Sequence, residues 1–215
     1  MSAQAAASSG RKPNDEGHGR YLDGFIAGPD DTFEQPLGAG GDRLHEWVYD
    51  LASWRQQHGM EGGEGGQDSE IIAEGIANIG AVVIGRRMFD LAEEPWGDEP
   101  PFRVPVFVVT HRPRETLEKA GGTTFHFVTD GIESAVEQAK AAAGDKHVGV
   151  GGGANVIQQL LQARLLDELQ IHLVPIFLGG GRRLFDEISP ESVELEVDRV
   201  VTSPGVTHLR YRRVK

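Results

Sequence analysis

The chain of 215 residues has no cysteine. That excludes disulfides, thiolate nucleophiles and cysteine-ligated metals. Its eight histidines include no pair at a recognised ligand spacing beside a carboxylate, so no metal site is expected. Positive charge is also scarce: 21 Lys+Arg stand against 33 Asp+Glu, a formal net charge of −12. This balance argues against a general nucleic-acid or anionic-membrane surface, but it leaves room for a local basic pocket. No apolar run approaches the roughly 20 residues of a membrane span, and the N-terminus lacks a charged–apolar–small signal pattern. A cytoplasmic protein is the expectation. The G-x-G-x-x-G dinucleotide fingerprint, with its acid about 20 residues on, is absent as well.

What is present suits one soluble domain, with 39% hydrophobic and 25% charged residues. Residues 1–20 are small, polar and glycine-rich, and cannot bury enough apolar surface to offset their ordering entropy. A disordered or leader tail is expected there, with the domain over 21–215. Tyr21–Asp31 is expected as a loop anchored by Phe25 and Ile26. An amphipathic helix is expected over Asp42–Gln57, with Leu44, Trp47, Val48 and Leu51 on one face. Its acidic row, Asp42, Glu46 and Asp50, is either a solvated face or a carboxylate at a pocket mouth. The glycine-rich stretch 59–67 reads as a flexible insertion. Ser69–Ile79 reads as a helix, Ala81–Gly85 as a buried strand, and Val104–Thr110 as another buried strand followed by a short helix through Leu117. Thr123–Val128 is a fourth strand and Gly131–Ala143 a helix. Leu166–Leu178 is a long strand, and Ser192–Ser203 and Gly205–Val214 form a hairpin around Ser203-Pro-Gly-Val206. β-α units followed by an antiparallel finish predict an α/β fold with a mostly parallel sheet.

Three strand ends carry phosphate-type chemistry. His147-Val-Gly-Val-Gly-Gly-Gly-Ala-Asn155 is a strand end and a bare glycine turn, followed by an apolar-periodic helix. Free N–H groups of Gly151, Gly152, Gly153, Ala154 and Asn155, with the helix dipole, form an anion seat; the alternative is a tight corner that simply needs glycine. Gly85-Arg86-Arg87 opens a second helix with two cations where the dipole disfavours them, so a bound anion would account for them; solvent-facing arginines are the other reading. Thr110, His111 and Arg112 end a third strand with hydroxyl, imidazole and guanidinium donors. Ligands of open α/β sheets bind at the carboxyl ends of the strands. Three such ends on one rim suit a ligand with several phosphates.

Leu22-Asp-Gly-Phe-Ile-Ala-Gly28, Val82-Val-Ile-Gly-Arg-Arg-Met-Phe89, Val108-Val-Thr-His-Arg112, Val148–Asn155, Leu165-Leu-Asp-Glu-Leu169 and the Gly179–Gly181 loop before Leu184-Phe185 occur in one order. Together they resemble the dihydrofolate-reductase-like family, in the branch similar to the C-terminal reductase domain of bacterial riboflavin biosynthesis. The resemblance implies a three-layer, mixed and mostly parallel sheet flanked by helices, and an NADPH-dependent reductase working as a homodimer on a small molecule. It implies that Gly85, Arg86 and Arg87 contact the NADP phosphates, that Thr110, His111 and Arg112 lie near the adenosine 2′-phosphate, and that Gly152 to Asn155 hold the pyrophosphate. It puts Asp23 and Gly24 beside the nicotinamide and the substrate. A pteridine or a pyrimidine ribosylamine is the expected substrate type. Proton-donor candidates are Asp23, Glu46, Asp50 or an ordered water. The family's apolar first strand is replaced here by the polar Asn14–Arg20. That replacement motivates the rival reading, a non-catalytic NADP-binding module.

Overall fold

The computed structural model describes residues 23–186, 188–189 and 193–214. The expected tail and the Asn14–Arg20 segment lie outside them. In chain order the elements are β1 (Phe25–Ala27), α1 (Glu46–Tyr49), α2 (Ala52–Gln57), α3 (Gln67–Ala77), β2 (Ile79–Gly85), α4 (Arg86–Trp96), β3 (Pro105–Val109), β4 (Leu117–Glu118), β5 (Thr124–Val128), α5 (Ile132–Ala143), β6 (His147–Gly152), α6 (Ala154–Gln162), β7 (Glu168–Leu173), β8 (Arg182–Arg183), β9 (Leu195–Thr202) and β10 (Thr207–Arg213).

The central sheet has the order β4-β5-β3-β2-β6. Its β2–β3, β2–β6 and β3–β5 ladders are parallel, and the short β4 is antiparallel. Both faces of a parallel sheet must be covered, and β2 is apolar on both. Ala81 and Val83 point into a core with α5 and α6, where Ala135, Val136, Ala139, Ile157 and Leu160 pack. Val82 and Ile84 point the other way, onto Phe89 of α4 and Phe125. That alternation makes three layers.

The antiparallel finish forms a sheet of its own, β7-β10-β9. Leu169, Ile171, Leu209 and Tyr211 on one face join the α5–α6 core, which links the two sheets. Among the described residues, β6 pairs only with β2, and β7 only with β10.

Four expectations change. The helix expected over Asp42–Gln57 is broken. A 3₁₀ turn at Gly41–Leu44, α1 and α2 replace it, with Leu51 extended between the last two. At the break the glycine-rich insertion enters: Glu64 N–H donates to the Asp50 carbonyl (2.6 Å) and Ala52 N–H to the Glu64 carbonyl (2.8 Å). A side-chain period cannot reveal such a backbone exchange. The stretch after Pro113 is not helical, and its end, β4, pairs with β5. β7 stops at Leu173, two residues before Pro175. Tyr21–Asp31 contains a strand, β1, whose partner β8 lies far along the chain.

The second face of the C-terminal sheet holds a buried polar cluster. His172 Nδ1 and His208 Nδ1 are 2.6 Å apart, His208 Nε2 meets Asp68 Oδ1 at 3.1 Å, and Ser203 Oγ donates to the same carboxylate. Trp47 packs against both rings. Farther along, Glu74 of α3 accepts from Arg199 and Arg210. Burial, with a smaller contribution from His208, pushes His172 down to about 3 from an ordinary 6.5. Burial likewise pushes His45 down to about 4.

Both imidazoles stay neutral in the folded state while the unfolded chain takes up protons below pH 6.5. The unfolded state therefore binds more protons between about pH 6.5 and 4, and stability falls as pH falls, by up to about 1.4 kcal/mol per pH unit for each histidine. Urea unfolding at pH 7, 5.5 and 4.5 should show that decline, and His172→Asn should flatten it; a stability independent of pH over this window would contradict the assignment.

Candidate active site

The parallel register brings the three strand ends together. Gly85 is level with Val109, and Ile84 is level with Gly152. Since neighbouring strands lie about 4.8 Å apart, the residues that follow β2, β3 and β6 share one rim within roughly 10 Å. The three segments singled out in the sequence thus meet there.

Arg86 and Arg87 are the first two residues of α4, and Gly85 caps it without a side-chain bond. Arg86 Nε donates to Asp90 Oδ1 and Arg112 Nη2 to Asp90 Oδ2, each at 2.6 Å. One carboxylate thus joins arginines from two strand ends. Burial alone would raise the Asp90 pKa, but the bonds from Arg86 and Arg112 outweigh it and hold the carboxyl below its ordinary range. Arg86 Nη1 also donates to the Arg112 carbonyl at 3.3 Å. Thr110 is buried, and its Oγ accepts the Arg112 N–H at 3.0 Å, which fixes the turn beyond β3. His111 is exposed beside it. Arg87 turns the other way, onto Asp31 at 2.5 Å.

The glycine turn serves two purposes. A Cβ at Gly151 would clash with Ile84 Cγ2 at 2.9 Å, so close packing favours glycine there; one at Gly85 would crowd Val156 Cγ2 at 3.2 Å. Gly152 has φ +122 and a cis peptide to Gly153. At Gly153 a Cβ would meet nothing within 4 Å, so the turn opens outward into free space. Ala154 and Asn155 begin α6 there, with no side-chain cap on their N–H groups. This is the open, donor-rich surface that an anion needs.

Beside it lies a cavity of about 460 Å³. Ala154, Asn155 and Gln158 form one wall, Gly28 to Asp31 a second, and Gly181, Arg182, Arg183 and Asp186 a third. The second and third walls are joined by the β1–β8 ribbon, which is tightly packed. A Cβ at Gly28 would run into the Ala39 carbonyl, and one at Gly181 into the Ala27 carbonyl. Arg183 lies over the Phe25 ring, 4.6 Å from its centroid. These cavity arginines were not among the expected site residues. The signal was there: Gly179-Gly-Gly-Arg-Arg repeats the glycine-then-arginine grammar of Gly85-Arg-Arg.

The two expected catalytic carboxylates lie apart from the cavity walls. Asp23 Oδ2 accepts the N–H groups of Leu178 (2.9 Å) and Gly179 (2.7 Å), and so anchors the loop leading to β8. Glu46 is exposed on the first turn of α1. Among the described residues there is no cluster of metal-ligating side chains and no helix long and apolar enough to cross a membrane.

The family model of the RibD C-terminal domain matches residues 22–209. A Bacillus subtilis protein, the uncharacterised YyaP, is 24% identical over 142 residues, covering 63% of this chain and 75% of its own length. Among solved structures, a protein of Shewanella sp. PV-4 provisionally assigned to riboflavin biosynthesis superposes with a TM-score of 0.64 at 22% identity, over 90% of this chain and 94% of the other. The Thermotoga maritima diaminohydroxyphosphoribosylaminopyrimidine deaminase/5-amino-6-(5-phosphoribosylamino)uracil reductase superposes with a TM-score of 0.56 at 17% identity, over 90% of this chain and 54% of the other. At these identities the two structures establish a shared fold.

The ribbon gives a specific test. Gly181→Ala places a Cβ against a backbone carbonyl at φ +121 and should cost about 1–3 kcal/mol. Gly180→Ala, where a Cβ meets nothing within 4 Å, should be nearly neutral. Hydrogen exchange should show the Leu184 amide, bonded to the Gly24 carbonyl, losing protection in the first variant while β2 keeps its own. Equal behaviour of the two variants would refute the packing argument.

Proposed function

The chain belongs to the RibD C-terminal domain family, and from that premise we propose that it is an NADPH-dependent reductase of a small heterocycle, of pteridine or pyrimidine-ribosylamine type. The observation that carries this reading is the Arg86–Asp90–Arg112 bridge across two strand ends, level with an open glycine turn on a third. A ligand with two separated phosphate groups fits that donor set. Guanidinium groups of Arg86 and Arg112 suit a terminal phosphate, and the uncapped N–H groups of Gly153, Ala154 and Asn155 suit a pyrophosphate. The open space at Gly153 leaves room for close approach.

In this reading Arg86 and Arg112, with Thr110 and His111 at the same strand end, hold the 2′-phosphate, while Gly85 and Gly151 to Asn155 shape the pyrophosphate seat. When bound, NADPH supplies the hydride. The cavity walls position the acceptor. Neither Asp23 nor Glu46 lines the cavity, so proton delivery is assigned to one of them acting through an ordered water. Asp23 also holds the Leu178–Gly179 loop, so Glu46→Gln is the cleaner probe of that step. We assign a homodimer as the working form. Val197 and Val200, 63% and 52% exposed on the edge strand β9, supply an apolar surface for it.

Titration followed by nicotinamide fluorescence should show saturable NADPH binding. Arg86→Ala with Arg112→Ala should weaken NADPH by about tenfold or more and leave NADH nearly unchanged. An equal loss for both cofactors would remove the 2′-phosphate assignment. Turnover across a panel of pteridines and pyrimidine ribosylamines tests the reaction itself, and saturable binding without any oxidation would favour a non-catalytic nucleotide-binding module. With a turned-over substrate, Glu46→Gln should lower kcat by about 10²–10⁴ at unchanged NADPH affinity; an unaltered kcat takes Glu46 out of the proton path.

A further inference from the structure

Asp31 stands at a junction that neither the fold nor the proposed reaction explains. Its carboxylate accepts Arg87 Nε at 2.5 Å through Oδ2 and lies 3.8 Å from Arg182 Nη2 through Oδ1. Its backbone carbonyl takes a second bond from Arg87, at 3.0 Å. Arg87 belongs to the first turn of α4 and Arg182 to β8. A carboxylate held between two guanidinium groups from separate elements, at the edge of a cavity, occupies the kind of position a phosphate or carboxylate ligand takes. The Arg87 bond is the largest influence on Asp31 and holds its carboxyl below the ordinary range, so it is a full negative charge at neutral pH.

The two partners differ in freedom. The Gly28–Asp31 loop is fixed by its backbone: Gly28 N–H donates to the Leu37 carbonyl at 2.8 Å, and Ala39 N–H to the Pro29 carbonyl at 2.9 Å. The backbones there are so close that no Cβ fits at Gly28 or Gly38. The Asp31 side chain is only 16% exposed, whereas that of Arg87 is 56% exposed. Arg87 is the member that can swing. The charges beside the cavity also count: Arg182 and Arg183 line it together with Asp30, Asp31 and Asp186. With Arg87, which is paired to Asp31, three arginines balance three aspartates, and removing the Asp31 charge leaves one positive charge in excess to favour an anion.

We propose that Asp31 is a built-in competitor for an anionic ligand: its carboxylate occupies the anion position between Arg87 and Arg182, so the Asp31–Arg87 contact and ligand binding exclude each other. The ligand class is a phosphate- or pyrophosphate-bearing molecule. The inference rests on the cofactor reading above for which ligand arrives, but not for the competition itself. Binding releases Arg87 from Asp31 toward the ligand. The ion pair thereby sets a threshold that only a ligand with enough charge passes.

The test uses the full chain and Asp31→Asn, which keeps shape and one acceptor but removes the charge, with Asp31→Ser as a second variant should the first fold poorly. NADPH affinity is measured by nicotinamide fluorescence at low ionic strength. Inorganic pyrophosphate is titrated separately, with thermal stabilisation as the readout. Competition predicts NADPH binding about three- to tenfold tighter in Asp31→Asn, with a steeper salt dependence. It also predicts a larger pyrophosphate stabilisation, and loss of both gains once Arg87→Ala is added. If Asp31 merely orients Arg87, the Asn variant binds both probes as weakly as Arg87→Ala, and the proposal is overturned. Unchanged affinity for both probes overturns it too. Absence of saturable NADPH binding in every variant, with the pyrophosphate gain intact, would sink the cofactor reading and leave the competition standing.

Discussion

The parallel pairing of β2 with β3 on one side and β6 on the other is the constraint on which the rest depends. It is a packing constraint first. β2 offers Ala81 and Val83 to one helical layer and Val82 and Ile84 to the other, and all four are buried to 5% exposure or less. Because the strands run the same way and in register, all of their carboxyl ends emerge on one edge. The helices α4 and α6 start at that edge, so their N-termini do as well. A donor-rich rim is therefore a by-product of burying a two-faced apolar strand. The residues at those junctions are Gly85-Arg-Arg, Thr110-His-Arg and Gly151-Gly-Gly.

Much of this was legible in the sequence, because the signals are local. Strand-length apolar runs each ended by glycine or a basic residue identified the β-α units, and family order then joined the three ends. The unreadable parts share one physical cause. The break at Leu51 depends on Glu64 bonding into the backbone on either side of it, and the β1 strand depends on Arg182 and Arg183. Both are backbone contacts between segments whose side-chain patterns carry no trace of the partner. The acidic row on the expected helix was similarly incomplete as evidence. All three precede the break at Leu51: Asp42 lies in the 3₁₀ turn, Glu46 opens α1 and Asp50 closes it. The cavity arginines are hidden by the same cause, because Arg182 and Arg183 are placed by pairing with the distant β1.

The chain is acidic overall, with a net charge of −12, and its arginines near the rim are paired with carboxylates. Arg86 and Arg112 share Asp90, Arg87 and Arg182 approach Asp31, and Arg114 forks onto Glu93. Asp90 holds two extended guanidinium groups in place at the rim, which would lower the conformational entropy lost on binding an anion. Each carboxylate also cancels charge that an anion would otherwise feel. The balance between holding and cancelling differs with geometry. Asp90 lies on the same helix as Arg86, one turn on, and acts as an internal brace. Asp31 reaches across from another segment of the chain.

The β1–β8 ribbon also bears on how the molecule reaches its native state. Asp23 meets Leu178 across 155 residues of chain, and two cavity walls depend on that junction. The β-α units between them are made of short-range contacts that close early, whereas a contact spanning so much chain carries a large loop-closure entropy and forms late. The rim can therefore be complete in a state whose cavity is still open, with the N-terminal segment undocked. In a growing polypeptide the third cavity wall cannot form until residues 178–184 have left the ribosome, so the rim precedes the enclosed cavity.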